Sequence, residues 1–216
     1  ATLNLGSGSL TTTGDINLAN NVSITATGGI TINDKIDADN ASSNDRTLTL
    51  NSGTGSTIIV KDDIGSSEAL AGLTITQSNG ATFQGGVQNI TDSSSGTITI
   101  TDTEDSKTVT LDGAVTAGTL VTGASGYNLV LNGGFADTST YTGAVTFQNT
   151  GTLTLGTAST DTFNFNGGMT ENTSGTVTVI GKIRSTNDAI SFGAVTLGAN
   201  TTIDTNASST TGDLTL

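Results

Sequence analysis

Apolar and polar residues alternate one by one along most of this chain. The pattern surfaces at Leu3/Leu5, Ile16/Leu18, Val22/Ile24, Ile30/Ile32, Leu48/Leu50, Leu73/Ile75, Ile98/Ile100 and Val109/Leu111, and again at Leu129/Leu131, Val145/Phe147, Leu153/Leu155, Phe163/Phe165, Val177/Val179, Val195/Leu197 and Leu214/Leu216. A period of two sends successive side chains to opposite faces of extended backbone, so each segment predicts a short strand with one dry and one wet face. The residue between is usually Thr or Asn. Thr is β-branched and suits an exposed strand face. Clusters of Gly, Asn, Asp and Ser between the segments predict tight turns. No segment combines helical spacing with caps, and the chain reads as all-β.

Short phrases recur. Gly-Ala-Val-Thr stands at Gly113–Thr116, Gly143–Thr146 and Gly193–Thr196, and Ser95–Ile100 resembles Ser174–Val179. An apolar–polar–Gly–Gly–apolar unit appears at Phe83–Val87, Leu131–Phe135 and Phe165–Met169, with a weaker copy at Ala26–Ile30. Gly85 and Gly167, Ser95 and Ser174, and Gly113 and Gly193 are each roughly 80 residues apart, which predicts a long module built of shorter coils. A second element runs from a strand through Lys and Ile to a polar loop: Ile30–Ile32 to Lys35-Ile36, Ile58–Val60 to Lys61 and Ile64, and Val177–Val179 to Lys182-Ile183. These read as equivalent turns of a coil.

Each coil is too short and too poor in large apolar groups to bury a core alone. Stacking solves this: apolar residues of successive coils form internal ladders, and backbone groups pair up and down an axis. The expected fold is therefore a parallel β-solenoid of irregular coils, about 18–25 residues each, spanning residues 1–216 as a single segment. Right-handed winding is expected, because parallel crossover connections usually take that hand. The competing immunoglobulin-like sandwich characteristically uses a buried Trp or a corner Tyr. This chain has no Trp and only Tyr127 and Tyr141. It also has no Pro, which suits unbroken ladders. Both ends, Ala1–Leu5 and Leu214–Leu216, resemble strand interiors, so the segment is expected to belong to a longer array and to meet neighbouring repeats or further copies of itself.

Composition narrows the function classes. Without Cys there is no disulfide and no thiolate ligand or nucleophile, and without His the usual general base and zinc ligand are missing. The net charge is −13, from 19 acidic and 6 basic residues. Lys35, Arg46, Lys61, Lys107, Lys182 and Arg184 are scattered, which argues against nucleic acid as a partner. An acidic surface keeps a long fibre soluble. Thr supplies about one residue in five. No apolar run approaches the ~20 residues of a membrane helix.

Specific phrases add a resemblance. Leu48-Thr-Leu-Asn-Ser-Gly-Thr-Gly55, Ile64-Gly65, Ala69-Leu-Ala-Gly-Leu-Thr-Ile-Thr76, Leu10-Thr-Thr-Thr-Gly-Asp-Ile-Asn-Leu18 and Gly193–Thr202 resemble very large bacterial repeat exoproteins of the filamentous-haemagglutinin, autotransporter-passenger and surface-layer-like kind. The resemblance covers nearly the whole chain and is compositional. It implies secretion to the cell surface and a stalk, adhesin-body or coating role, and carries over no catalytic residues.

Candidate chemistry is sparse. Asp34, Asp37 and Asp39 with Asp45 nearby, the pair Asp62 and Asp63, and Asp102, Glu104 and Asp105 are acidic clusters that could offer oxygens to Ca2+. Asp102, Glu104 and Asp105 lead, as part of a calcium-stabilised glycan- or surface-binding module. Ordinary turn chemistry explains the same residues, and no cofactor is required. A polysaccharide-active β-helix enzyme would need paired carboxylates and sugar-stacking aromatics. The cations are few and the aromatics scarce, so no enzyme is expected. Thr-x-Thr recurs at Thr47/Thr49, Thr74/Thr76, Thr97/Thr99, Thr108/Thr110, Thr152/Thr154 and Thr176/Thr178. An ice-binding face would want these at constant spacing; the spacing wanders, and ordinary exposed strands are expected. Six Asn-x-Ser/Thr sequons, beginning at Asn21, Asn40, Asn89, Asn172, Asn200 and Asn206, match what chance gives in so Ser- and Thr-rich a chain. Phe83, Phe135, Phe147, Phe163, Phe165 and Phe192 follow the alternation and should fill the core. Tyr127 and Tyr141 should pack at turns, with glycan contact as the alternative.

Overall fold

The computed structural model describes residues 1–39, 46–90, 96–133, 138–208 and 212–216. These residues contain strands and turns and no helix, and every strand pair is parallel. The chain winds as a β-solenoid with three faces, visited in a fixed order. Face A collects ten strands from Thr2–Asn4 to Leu214–Thr215, and face B nine from Leu10–Thr12 to Val195–Leu197. Face C begins with Ile16–Leu18 and Ile36–Ala38 and runs on from Val87–Ile90 to Thr202–Asp204. Between those two parts Ile64 takes a strand's place, bridging to Ile36 and donating its N–H to the Gly86 carbonyl. A parallel stack leaves no room for antiparallel sandwiches, so the immunoglobulin-like alternative falls.

The alternation works as the sequence predicts. Strand after strand places its apolar residues inside, as in Ile30 and Ile32, Leu129 and Leu131, or Phe163 and Phe165. The residue between them looks outward. Register then stacks like on like: Leu48, Leu73, Ile98 and Leu120 form one inward column on face A. Burying such a side chain is worth about 1.5–3 kcal/mol. Three thin sheets thus share one dry interior that no coil could close by itself.

Coil length varies more than the strand spacing in the sequence suggests. Register partners on face A are 21 residues apart at Thr2 and Ser23 and 26 apart at Ser23 and Thr49. On face B the step ranges from 18 residues, between Val177 and Val195, to 28, between Ile30 and Ile58. Extra residues are absorbed at corners, which leaves the ladders in register.

The roughly 80-residue module is not a structural unit. Val115, Val145 and Val195 of the three Gly-Ala-Val-Thr phrases begin strands on faces C, A and B respectively. The Gly-Gly units likewise sit at all three corners: Ala26–Ile30 between A and B, Phe83–Val87 between B and C, Phe165–Met169 between C and A. The phrases mark any corner, because each corner brings backbone against the coil below. A Cβ on Gly167 would lie 2.5 Å from the Ala144 nitrogen. The strand–Lys–Ile element does mark one place, since all three copies span the corner between faces B and C.

Candidate functional site

The acidic clusters resolve into corner chemistry. Asp102, Glu104 and Asp105 lie at the corner between faces A and B. Asp102 Oδ1 accepts the Thr103 N–H at 2.9 Å, Asp105 Oδ1 accepts the Gly126 N–H of the next coil at 3.1 Å, and the Glu104 N–H donates to the Ser78 carbonyl of the previous coil. Asp62 Oδ1 caps the Asp63 N–H, and Asp63 Oδ1 caps the Gly86 N–H at 2.8 Å. Asp34, Asp37 and Asp39 are split between a corner, face C and the next corner. Asp37 accepts the Ser67 and Glu68 N–H groups of the following coil. Asp39 pairs bidentately with Arg46 at 2.8 and 2.9 Å, and the guanidinium holds its carboxyl below the ordinary range. Asp45 lies outside the described residues. Among the described residues no three acidic side chains converge as a metal site would require. The carboxylates of Asp37, Asp62, Asp63, Asp102 and Asp105 are engaged by backbone N–H groups, so a chelator is expected to leave the melting temperature unchanged. A scanning-calorimetry titration with calcium and EDTA checks this, and a calcium-dependent rise would contradict it.

Both tyrosines are interior. Tyr127 and Tyr141 are each 0% exposed, which rules out the glycan-contact alternative. The Tyr127 hydroxyl donates to the Ile100 carbonyl, whereas the Tyr141 hydroxyl is buried without a partner. Burial pushes both phenols above their ordinary value. For an acid whose folded pKa is raised, the stability is present below the unfolded pKa near 10 and is lost as pH climbs past it. Alkaline titration followed by phenolate absorbance should therefore show both tyrosines ionising together with loss of β structure, not before it. Removing the orphan hydroxyl by Tyr141→Phe should raise stability by about 1 kcal/mol, read from denaturant melts.

Phe83, Phe147, Phe163, Phe165 and Phe192 are core residues, as their alternation predicts; Phe135 lies outside the described residues. A polar seam runs inside the corner between faces A and B. Ser52 Oγ donates to the Ser56 carbonyl, Ser78 and Thr103 share a 2.8 Å hydroxyl pair, and Asn149 Nδ2 donates to the Tyr127 and Thr152 carbonyls. A depression of about 320 Å³ near the amino-terminal coils is lined by Ser9, Thr11, Gly29, Thr31 and Ser56 among others, with no charged group.

The outer faces differ sharply in charge. Among the described residues no face B strand contains a charged residue, and Glu171, the charged residue in a face A strand, points inward and is 6% exposed. Face C strands carry Asp37, Lys182, Arg184 and Asp204, with Arg184 Nε 3.5 Å from Asp204 Oδ2. Threonine fills the uncharged faces in register. The outward rank of face A runs Thr2, Ser23, Thr49, Thr74, Thr99, Val121, Thr146, Thr170, Ser191, Thr215. That of face B runs Thr11, Thr31, Ile59, Thr82, Thr110, Val130, Thr154, Thr178, Thr196.

The wandering Thr-x-Thr spacing has a simple origin. Thr47/Thr49, Thr74/Thr76 and Thr97/Thr99 belong to face A, while Thr108/Thr110, Thr152/Thr154 and Thr176/Thr178 belong to face B. Thr-x-Thr pairs thus fall on two faces, and strands with a single outward Thr, such as Ala81–Phe83, continue the ranks without forming a pair. Sorting strands by their place in the coil would have exposed the ranks. No known family, curated protein or solved structure matches this chain. The class that fold and faces define is a three-faced parallel β-solenoid with two charge-free threonine faces.

Proposed function

We propose that this chain is a non-enzymatic structural or adhesive segment of a secreted bacterial cell-surface repeat protein, a stalk, adhesin body or coat element. The observation that carries the reading is the continuous parallel pairing of the ten strands of face A, from Thr2–Asn4 to Leu214–Thr215, over one continuous core. Each coil is hydrogen-bonded to the next along three faces, so bending or local opening must break several strand pairs together. A body of this kind holds distances and resists proteolysis. Its corners, where coil length varies, are the places that accept changes without disturbing the ladders. Further repeats would stack on the exposed Leu3 and Leu214 edges, and surface glycans are the contacts such a rod would offer its acidic corners to.

The outward carboxylates on strand faces support the non-enzymatic part. Asp37 and Asp204 stand at opposite ends of face C. Seven strand steps at about 4.8 Å put them roughly 34 Å apart. Glycoside cleavage needs a pair within about 10 Å, which the strand faces do not offer; the closer carboxylates stand at corners, where Asp62, Asp63, Asp102 and Asp105 bond backbone N–H groups. Antibodies against the chain, applied to intact and to permeabilised source cells, test the surface role. Labelling of intact cells is expected, together with altered attachment or coat in a deletion strain. Labelling only after permeabilisation would overturn the reading, as would loss of a polysaccharide-degrading activity on deletion.

A further inference from the structure

Face B holds a feature that a spacer does not need. Its outward rank is β-branched at every described coil, with no charge and no register shift from Leu10 to Leu197. Face A, by contrast, slips between Leu50 and Asn51. From Thr108 onward a second outward rank joins the first: Thr108, Asn128, Thr152 and Thr176 stand beside Thr110, Val130, Thr154 and Thr178, with the Thr152 hydroxyl donating to Asn128 Oδ1. Methyl groups therefore repeat every ~4.8 Å along the first rank, with a hydroxyl at every coil except those of Ile59 and Val130, and the second rank lies roughly 6.6 Å away. In a chain of net charge −13, keeping every acidic residue off this surface is a constraint in its own right.

The chemistry of the face selects its occupant. An uncharged face offers nothing to ions, nucleic acids or anionic glycans. Neutral sugars dock on exposed aromatic rings, and the described rings are all inside. A row of β-branched residues at one spacing, threonine at seven of its nine places, instead presents a periodic array to water. Each methyl leaves its water unanchored, each hydroxyl donates and accepts one hydrogen bond, and no charge imposes a competing hydration shell. We propose that face B binds the surface of ice, the threonine ranks holding a layer of water in lattice order. This goes beyond the proposed rod and stands or falls independently of it.

The test uses the whole chain, partitioned into slowly growing polycrystalline ice and examined for crystal shaping. Wild-type protein should concentrate in the ice fraction. T110K/T154K puts two desolvation-resistant ammonium groups on face B and should lower that incorporation at least about tenfold, while T74K/T99K on face A leaves it unchanged. Circular-dichroism melts establish that each variant folds. Rejection of the folded wild-type protein from ice would overturn the proposal. So would full retention of T110K/T154K, or a wild-type chain that ignores ice and binds microcrystalline cellulose or forms a face-to-face dimer by light scattering. Thr154→Ser, which keeps the hydroxyl and loses the methyl, should bind more weakly than wild type; equal binding would also count against the mechanism.

Discussion

Gly156→Ala is expected to destabilise the solenoid by about 3 kcal/mol or more, through one added methyl group. Gly156 follows the face B strand Leu153–Leu155 with φ +80. There, an L side chain already costs roughly 1–2 kcal/mol. A Cβ at this point would also lie 2.1 Å from the Ile180 carbonyl oxygen of the next coil. That oxygen is backbone and cannot swing away. Relief requires the two coils to part, and they are joined here by Ile180 N–H to Leu155 carbonyl at 2.9 Å. The neighbouring turn is fixed as well, since Asp161 Oδ2 accepts the Thr157 and Ala158 N–H groups and the Asp161 carbonyl accepts from Lys182. The comparison is Gly55→Ala, where nothing lies within 4 Å of the new Cβ and φ is not positive. That change should be neutral or stabilising by up to about 1 kcal/mol, because it mainly narrows the unfolded ensemble. Denaturant melts of both variants decide the matter; equal effects would show that coil-to-coil contact does not limit this fold.

That contrast also marks what a sequence of this type exposes and what it hides. The dry-face residues were legible because a period of two needs no knowledge of distant partners: Ile30 and Ile32 must share a side whichever strand lies next to them. The stacking followed from the poverty of each coil. The identity of faces was hidden. Val115, Val145 and Val195 begin identical phrases yet stand on three faces, because all three corners ask for the same thing, a small residue where backbone crosses backbone. The acidic residues hide their partners for a related reason. Asp63 and Asp105 cap N–H groups of the following coil, at Gly86 and Gly126. A partner more than twenty residues ahead leaves no local mark, so neighbouring carboxylates read as a cluster with a shared ligand. The strand–Lys–Ile element escaped this ambiguity, because its three copies all join a face B strand to an Ile on face C.

The interior of the carboxy-terminal half rests on its rings, and Phe165→Ala should cost about 3–5 kcal/mol. Phe165 is 0% exposed and touches three other aromatics. Tyr141 of the preceding coil stacks on it at 5.2 Å and 8°, Phe147 of face A meets it edge-on at 6.1 Å and 88°, and Phe163 of its own strand lies at 6.4 Å. The ring is thus the point where faces A and C and two successive coils are joined by side chains as well as by ladders. Its removal deletes transfer free energy and leaves a hole that fixed strands cannot close, since strand spacing is set by the backbone. Aromatic pairing adds roughly 0.5–1.5 kcal/mol per contact beyond burial. The Tyr141 hydroxyl, already without a partner, would then face the new cavity. A water entering there could satisfy it and recover part of the loss. The double variant Phe165→Ala with Tyr141→Phe should therefore be less stable than additivity predicts, because that recovered hydrogen bond is gone. A double-mutant cycle from denaturant melts measures the coupling, and strict additivity would show that the cavity stays dry.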